Sequence, residues 1–482
     1  MQNIIEKISI HEDATIREAM KAISIGAVGA ALSVEKESKC FNRIITDGDI
    51  RRALLNGFGL QSALKSIDKK EVVFVHTDTP FSKVTALFSE RIRVIPVVNS
   101  QNQVVDLHFH DQRNHIAVAS PLFDDEEIKL VNECMVNGWI SSSGKFVTQF
   151  EKMVAEHTGV NYAISCSSGT SALHLILMAY GIGLGDEVIV PSMSFIASAN
   201  AVSYTGAKPI FVDSDIESWN IDPYQIESVI TEKTKAIIAV HLYGHPADMD
   251  LINNIAKKHS LKVIEDAAEA QGAKYKGKNV GALADAAMFS FFGNKIITTG
   301  EGGMVLTNDS KIADKCRLMR DHGMTPKNRY WHELIGYNYR MTNIQAAIGV
   351  AQMGKIESII EKKKIIALEY DNRLSKIKEI ILPPNAEWAD NIYWLYTILI
   401  DDKLDFSVED LTKVLKENNI DSRIVFYPIH TQPIYLTGQS LPVSESLHKK
   451  GISLPSSPNI SLKDISKVCE IISKMVNNRC EV

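Results

Sequence analysis

From about residue 125 onward, short β-like runs alternate with helical stretches. "YAIS", "SALHLILMAYG", "DEVIVP", "KAIIAV", "INNIAKKH" and "LKVIED" follow one another along the chain. The β-like runs are too short for helices and are rich in Val and Ile, the texture of strands buried on both faces. Parallel strands cannot be joined by tight turns; each pair needs a crossover, and a helix supplies it. The alternation therefore predicts an α/β sheet with crossover helices and leaves little room for any other architecture.

Residues 1 to about 112 follow a different pattern. "ATIREAMKAIS" predicts a short helix, "GAALSV" a strand, and "FNRIITDGDIRRALLNG" a strand, a turn and a second helix. A weaker copy follows, in which "EVVFVHTDTPFSKVTALFSE" parallels "IIEKISIHEDATIREAMKAI" as strand, Thr or Asp turn, and helix. "IRVIPVVNSQNQVVDL" predicts two strands around an Asn/Ser turn, and the polar run 108 to 115, "HFHDQRNH", a linker. Then "DDEEIKLVNECMVNG" predicts an acid-capped helix stopped at Gly138. A long helical stretch is expected over roughly 343 to 378, and strand and helix patterns resume in "YWLYTILID" and "VEDLTKVLKENN". The expected domains are 1–112, a large one over 116–360 and a smaller C-terminal one over 361–482.

With 482 residues and 45% hydrophobic content, the chain can bury two or three cores. A net charge of −6 argues against a general nucleic-acid binder, which would carry a basic face. The longest apolar run, Ala22 to Val34, has 13 residues, short of the ~20 that span a bilayer. "MQNIIEKISIHEDATI" lacks the basic start and apolar core of a secretory signal. Cys40, Cys134, Cys166, Cys316, Cys469 and Cys480 are scattered without a CxxC pair, so neither a zinc site nor a disulfide framework is expected. The expectation is a reduced, cytoplasmic protein with no metal, no membrane and no nucleic-acid partner.

Three stretches carry chemistry. In "SCSSGTSALHLILMAYG", Ser165 to Gly169 form a small-residue turn before a helix whose first amides and dipole suit an anion; ordinary N-capping explains the same residues. In "LKVIEDAAEAQGA", a buried strand ends at Glu265-Asp266, where α/β sheets bind ligands; a loop carboxylate capping the next helix is the alternative. In "MFSFFGNKIITTGEGG", Lys295 sits among apolar and small residues. Desolvation there lowers a lysine pKa and frees the amine for Schiff-base chemistry, against the default of a solvated surface lysine. A phosphate cradle, a carboxylate and a desolvated lysine, in that order on an α/β frame, are what pyridoxal phosphate needs.

At this point the sequence resembles the fold type I sugar aminotransferases of the DegT/DnrJ/EryC1/StrS group over about residues 116 to 482. "NGWISSSGKFV", "CSSGTSALHL", "GDEVIVPSMSF", "HLYGHPADMD", "IEDAAEAQGA", "FSFFGNKIITTGEGGMV" and "GYNYRMTNIQAAIG" carry the resemblance. It implies a large α/β domain with a mixed, mostly parallel sheet and a smaller C-terminal α/β domain. It implies pyridoxal phosphate as cofactor, with pyridoxamine phosphate as its amine-carrying form. By the same resemblance Lys295 is the Schiff-base lysine and the base that moves the proton, and Asp266 pairs with the pyridine nitrogen. Ser290 and the Gly169 and Thr170 amides bind the phosphate. Phe195 stacks on the ring, unless it is a core aromatic. Glu269 lies beside the phenolic oxygen or has a structural role, and Asn338 reaches the phosphate from a second subunit or is a turn asparagine. Gln271 departs from the His or apolar residue frequent there. The implied partners are L-glutamate and a nucleotide-linked 4-keto-6-deoxy sugar, aminated at C4 in a homodimer. "FFGNKIITTGEGG" and "HLYGHPADMD" point to GDP-4-keto-6-deoxymannose, with a UDP-linked 4-keto-6-deoxy-N-acetylhexosamine as the alternative.

The first unit resembles a CBS pair, its segment "IITDGDIRRALL" matching the end of a CBS motif. The resemblance implies that Thr46 and Asp49 hold the ribose of a nucleotide effector. The second copy ends "VVDLHFHDQ" without that Thr-to-Asp spacing, so one ribose site at most is expected. A purely packing or dimerising role is the alternative. A nucleotide-sensing protein with a silent aminotransferase domain is the rival for the whole chain; Lys295, Asp266 and Ser290 argue against it.

Overall fold

The computed structural model describes residues 2–26, 28–67, 72–79, 83–84, 87–89, 92–109, 115–325 and 327–477. The chain forms two compact units, 1–114 and 115–482.

The first unit repeats one motif. Ser9–His11 pairs in parallel with Ala30–Val34, which pairs antiparallel with Phe41–Thr46. Val75–His76, Val94–Val98 and Val104–Phe109 form a second sheet with the same parallel-then-antiparallel pattern. The helix Ile16–Gly26 buries Ile16, Ala19, Ala22 and Ile23, a stripe at helical spacing. Half of the matching helix expected in "FSKVTALFSE" lies outside the described residues. So do residues 110–114 of the expected linker. Its first two residues are not linker: His108 and Phe109 pair with Ile95 and Val94, so the strand runs through the polar-looking run. A ladder is set by backbone partners, so the strand keeps pairing past Leu107 into residues whose polar neighbours look like a linker.

The second unit is built on a seven-stranded sheet. Its strands in chain order are β1 (Tyr162–Cys166), β2 (Glu187–Pro191), β3 (Lys208–Val212), β4 (Thr234–Val240), β5 (Lys262–Asp266), β6 (Ala286–Ser290) and β7 (Gly303–Thr307). The spatial order is β1-β7-β6-β5-β4-β2-β3. All neighbours are parallel except β7, which runs antiparallel to both β6 and β1. Every residue of β6 and β7 is buried, as the Val- and Ala-rich runs require. The helix Gly169–Ala179 is buried along nearly its whole length and packs against β6 and β7.

The long helical stretch is two helices. Asn343–Met353 ends at Gly354, and Ile356–Leu374 begins after Lys355. The second helix serves two cores. Ile356, Ile359 and Ile360 pack in the core of the large sheet. Ile366, Ala367, Tyr370 and Leu374 pack in the core of a four-stranded antiparallel sheet, Ile380–Ile381, Tyr396–Ile400, Gly451–Leu454 and Arg423–Ile424. Among the described residues no helix is long and apolar enough to cross a membrane.

Candidate active site

A pocket of about 360 Å³ opens at the carboxyl ends of the parallel strands, where α/β sheets bind ligands. Gly169, Thr170, Phe195, Asp266, Glu269, Ser290 and Lys295 all line it.

One end is a helix N-terminus. After β1 the chain turns at Ser168, whose hydroxyl accepts from the Ser171 amide while its own amide donates to Ser171 Oγ. That capping box satisfies the third amide of the helix; among the described residues the Gly169 and Thr170 amides have no protein acceptor. A Cβ on Gly169 would stand 2.9 Å from Ser290 Cβ, so only glycine lets the helix start approach the end of β6. Two open amides, a helix dipole and the Ser290 hydroxyl form a cradle for a phosphate.

Strand β5 ends in two carboxylates that face opposite sides, as successive strand residues must. Glu265 turns into the protein, accepting from the Gly281, Leu283 and Ala284 amides and lying 3.0 Å from His241 Nε2. Asp266 turns into the pocket, where Ser198 Oγ donates to it at 2.6 Å and the Ala268 amide at 3.2 Å. Burial pushes its pKa up, against those hydrogen bonds and the charge of Lys295. A cation facing this carboxylate, such as a protonated ring nitrogen, stabilises its charged form.

Lys295 follows β6 in a tight loop held by Thr298 and Thr299, both bonded to the Phe291 carbonyl. Its side chain is only 12% exposed. Burial lowers its pKa; Glu269 and Asp266 oppose the shift. Glu269 Oε1 lies 3.7 Å from Lys295 Nζ, and Glu269 Oε2 accepts from the Tyr243 amide at 2.8 Å. Burial raises Glu269 to about 7, although Lys295 pulls the other way. A carboxyl poised there can share a proton with a facing phenolate instead of repelling it. The amine, the carboxylate and the phosphate cradle match the aldehyde, ring nitrogen and phosphate of pyridoxal phosphate, so the residues present fit that group.

Phe195 is 57% exposed and touches Phe426 at a ring separation of 5.9 Å, so it is not a core aromatic. Gln271 is buried; its side chain donates to the Ser290 carbonyl and accepts from the Ile297 amide, bracing the lysine loop. Asn338 does not line the pocket. It is exposed, on a segment bridged to Asp321. Thr46 and Asp49 line a separate cavity of about 870 Å³ within the first unit. There Thr46 Oγ1 donates to Asp49 at 2.7 Å, the pair forms a capping box, and Arg52 donates to Asp49 at 2.7 Å.

Arg423 and Phe426, from the stretch "RIVFYPIHTQPIY" that the sequence places at the border of the substrate pocket, also line it; sequence reasoning missed Trp394, which lines it too. These residues come from the C-terminal part of the chain, and only the pairing of "YWLYTILID" and "RIVFYPIH" around one sheet brings them in. The Arg423 guanidinium has no partner among the described residues, although it faces the pocket.

Comparison with known proteins places these features. The model of the DegT/DnrJ/EryC1/StrS aminotransferase family matches residues 121–473, and that of the CBS domain matches residues 64–107. The chain is similar to the GDP-perosamine synthases of Caulobacter vibrioides, at 46% identity over 75% of this chain and 98% of the relative. The GDP-perosamine synthase of Escherichia coli O157:H7 is 47% identical over 76% of this chain and 100% of that relative. Among solved structures, Helicobacter pylori PseC, an aminotransferase involved in the biosynthesis of pseudoaminic acid, superimposes with a TM-score of 0.72 at 31% identity. That match covers 76% of this chain and all of PseC.

Proposed function

The chain belongs to the DegT/DnrJ/EryC1/StrS aminotransferase family, and from that premise we propose that it transfers an amino group from L-glutamate to C4 of GDP-4-keto-6-deoxymannose, giving GDP-perosamine for a surface polysaccharide. It is a pyridoxal-phosphate-dependent sugar aminotransferase. When bound, the cofactor supplies an aldehyde that takes up amines and a ring that accepts electrons from the carbon being deprotonated. The observation that carries the reading is one pocket in which a desolvated amine, a buried carboxylate and two open helix amides converge. The GDP-sugar choice is supported by relatives that the chain spans almost end to end.

In this reading Lys295 Nζ holds the cofactor and moves the proton at the reacting carbon. Asp266 keeps the ring nitrogen protonated. Ser290, with the Gly169 and Thr170 amides, binds the phosphate, and Phe195 covers one ring face. Glu269 shares a proton with the phenolic oxygen. Arg423 offers a charge to the anionic substrates. Asn338, exposed and outside its own chain's pocket, completes the phosphate site of a partner in a homodimer; closed two-fold dimers are the commonest assembly. The five described cysteines are free thiols, in keeping with a cytoplasmic enzyme. Thr46 and Asp49 are the groups that would meet a nucleotide effector.

The test is amination of purified keto sugars. Glutamate and GDP-4-keto-6-deoxymannose should yield 2-oxoglutarate and the 4-amino sugar. Turnover of the UDP-linked sugar alone would overturn the substrate assignment.

A further inference from the structure

We propose that Trp394 is a positioning residue for Lys295: its indole face is the seat on which the lysine amine rests whenever it is not bonded to the cofactor. The inference rests on the aminotransferase reading and concerns a residue to which that reading gives no role. Lys295 Nζ lies 3.9 Å from the centre of the Trp394 ring, with Glu269 Oε1 at 3.7 Å completing the seat.

The ring is fixed from several directions. Its Nε1–H donates to the Asn294 carbonyl at 2.7 Å, tethering the indole to the residue before the lysine. Its own carbonyl accepts from the buried Lys363 amine at 2.7 Å. Its backbone nitrogen lies against Gly244, where a Cβ would come within 2.8 Å and φ is +101°. Tyr243 runs nearly parallel to it, at an angle of 10°. An indole held this firmly, 3% exposed, presents a fixed face to a mobile amine.

The face does two things. It aims the amine into the pocket, and it favours the ammonium through attraction between cation and ring, which strengthens where water is excluded. Burial disfavours the ammonium, so the seat offsets part of that penalty. Glu269 and Asp266 also favour it, while Arg423 opposes it. An amine that must accept a proton from carbon and hand it back needs both forms accessible, and the indole supplies part of that balance.

The experiment measures the Lys295 pKa directly. Cofactor-free protein is acylated briefly across a pH series, and the fraction of labelled Lys295 is read by peptide mass spectrometry for wild type, Trp394→Leu and Trp394→Phe. Circular dichroism and thermal unfolding confirm that each variant is folded. Trp394→Leu should lower the pKa by about one unit, roughly tenfold in the protonation equilibrium, and Trp394→Phe, with a weaker ring, by less. An unchanged pKa in folded Trp394→Leu overturns the seat. Equal shifts in both variants overturn it as well, because they assign the effect to the lost N–H tether. Borohydride reduction of the wild-type holoenzyme tests the underlying reading separately: a pyridoxyl group on Lys295 upholds it whatever the variants show.

Discussion

The two cavities of this chain differ in how their polar groups are satisfied. Around Lys295 the donors are open: two helix amides have no protein acceptor, and Arg423 has no partner among the described residues. In the larger cavity of the first unit, polar groups answer one another. Thr46 and Asp49 form a capping box, Arg52 donates to Asp49, and Arg43 donates to the Leu64 and Ile67 carbonyls. Open amides at a helix start and an exposed guanidinium can each take up an anion, so the pocket around Lys295 is furnished for a charged ligand. Volume alone would have ranked the two cavities the other way round. On this view open groups control turnover and closed ones control stability, and each expectation below tests that division.

The largest effect belongs to the amine. Lys295→Ala should lower turnover by about 10⁴-fold, because a general base and the cofactor's attachment go together. Mixing Lys295→Ala with Asn338→Ala subunits should then restore activity above either variant alone, since a mixed dimer holds one site with both residues intact. No gain after confirmed subunit exchange would confine the open groups to a single chain.

Lys363 tests the closed class. Buried, with its amine donating to the Trp394 and Ser456 carbonyls, it falls to about 7 through desolvation. In the unfolded chain a lysine keeps its proton to about pH 10. Between those values the unfolded state binds more protons, so stability rises with pH, by up to about 1.4 kcal/mol per pH unit for one proton. Below pH 7 both states are protonated and the penalty is complete. Lys363→Met should remove this slope in urea unfolding at pH 7 to 10; an unaltered slope would show that the amine is not desolvated.

Smaller effects separate the cavities further. Ser290→Ala removes one hydrogen bond to a charged group, about 1.5–3 kcal/mol, and should weaken cofactor binding in a fluorescence titration of the apoprotein by roughly tenfold or more. Thr46→Ala removes a helix cap and should destabilise the protein by about 1 kcal/mol in thermal unfolding. Calorimetric titration of the full chain with nucleotides and nucleotide sugars could break the comparison: binding that disappears in Thr46→Ala would mean that the capping pair yields to a ligand.

How legible all this was depended on distance along the chain. The strands of the large sheet could be read because Val and Ile runs leave no helical face, Asp266 because strand ends in such sheets are where ligands bind, and Lys295 because its neighbours are apolar and small. The Gly169 cradle could be read from its small residues. Trp394 could not: in "NIYWLY" it looks like one more buried aromatic, and it is buried; its contact with Lys295 exists only once the antiparallel sheet is paired. The break at Gly354 was hidden because apolar spacing continues on both sides of it. Gln271, unusual against the family pattern, proved to be a brace between loop and strand.

The helix Ile356–Leu374 carries a consequence for how residues 115–482 come apart. Three of its isoleucines anchor it in one core, and four later residues anchor it in the other, along a single uninterrupted hydrogen-bonded ladder. Neither core can lose its packing without stripping the shared axle from its neighbour. A species with one core molten and the other native would have to fracture that helix near Lys363, giving up its ladder and its two carbonyl partners together. The C-terminal part is thus a second core tied to the first through one shared helix, so loosening of either core is felt along that axle.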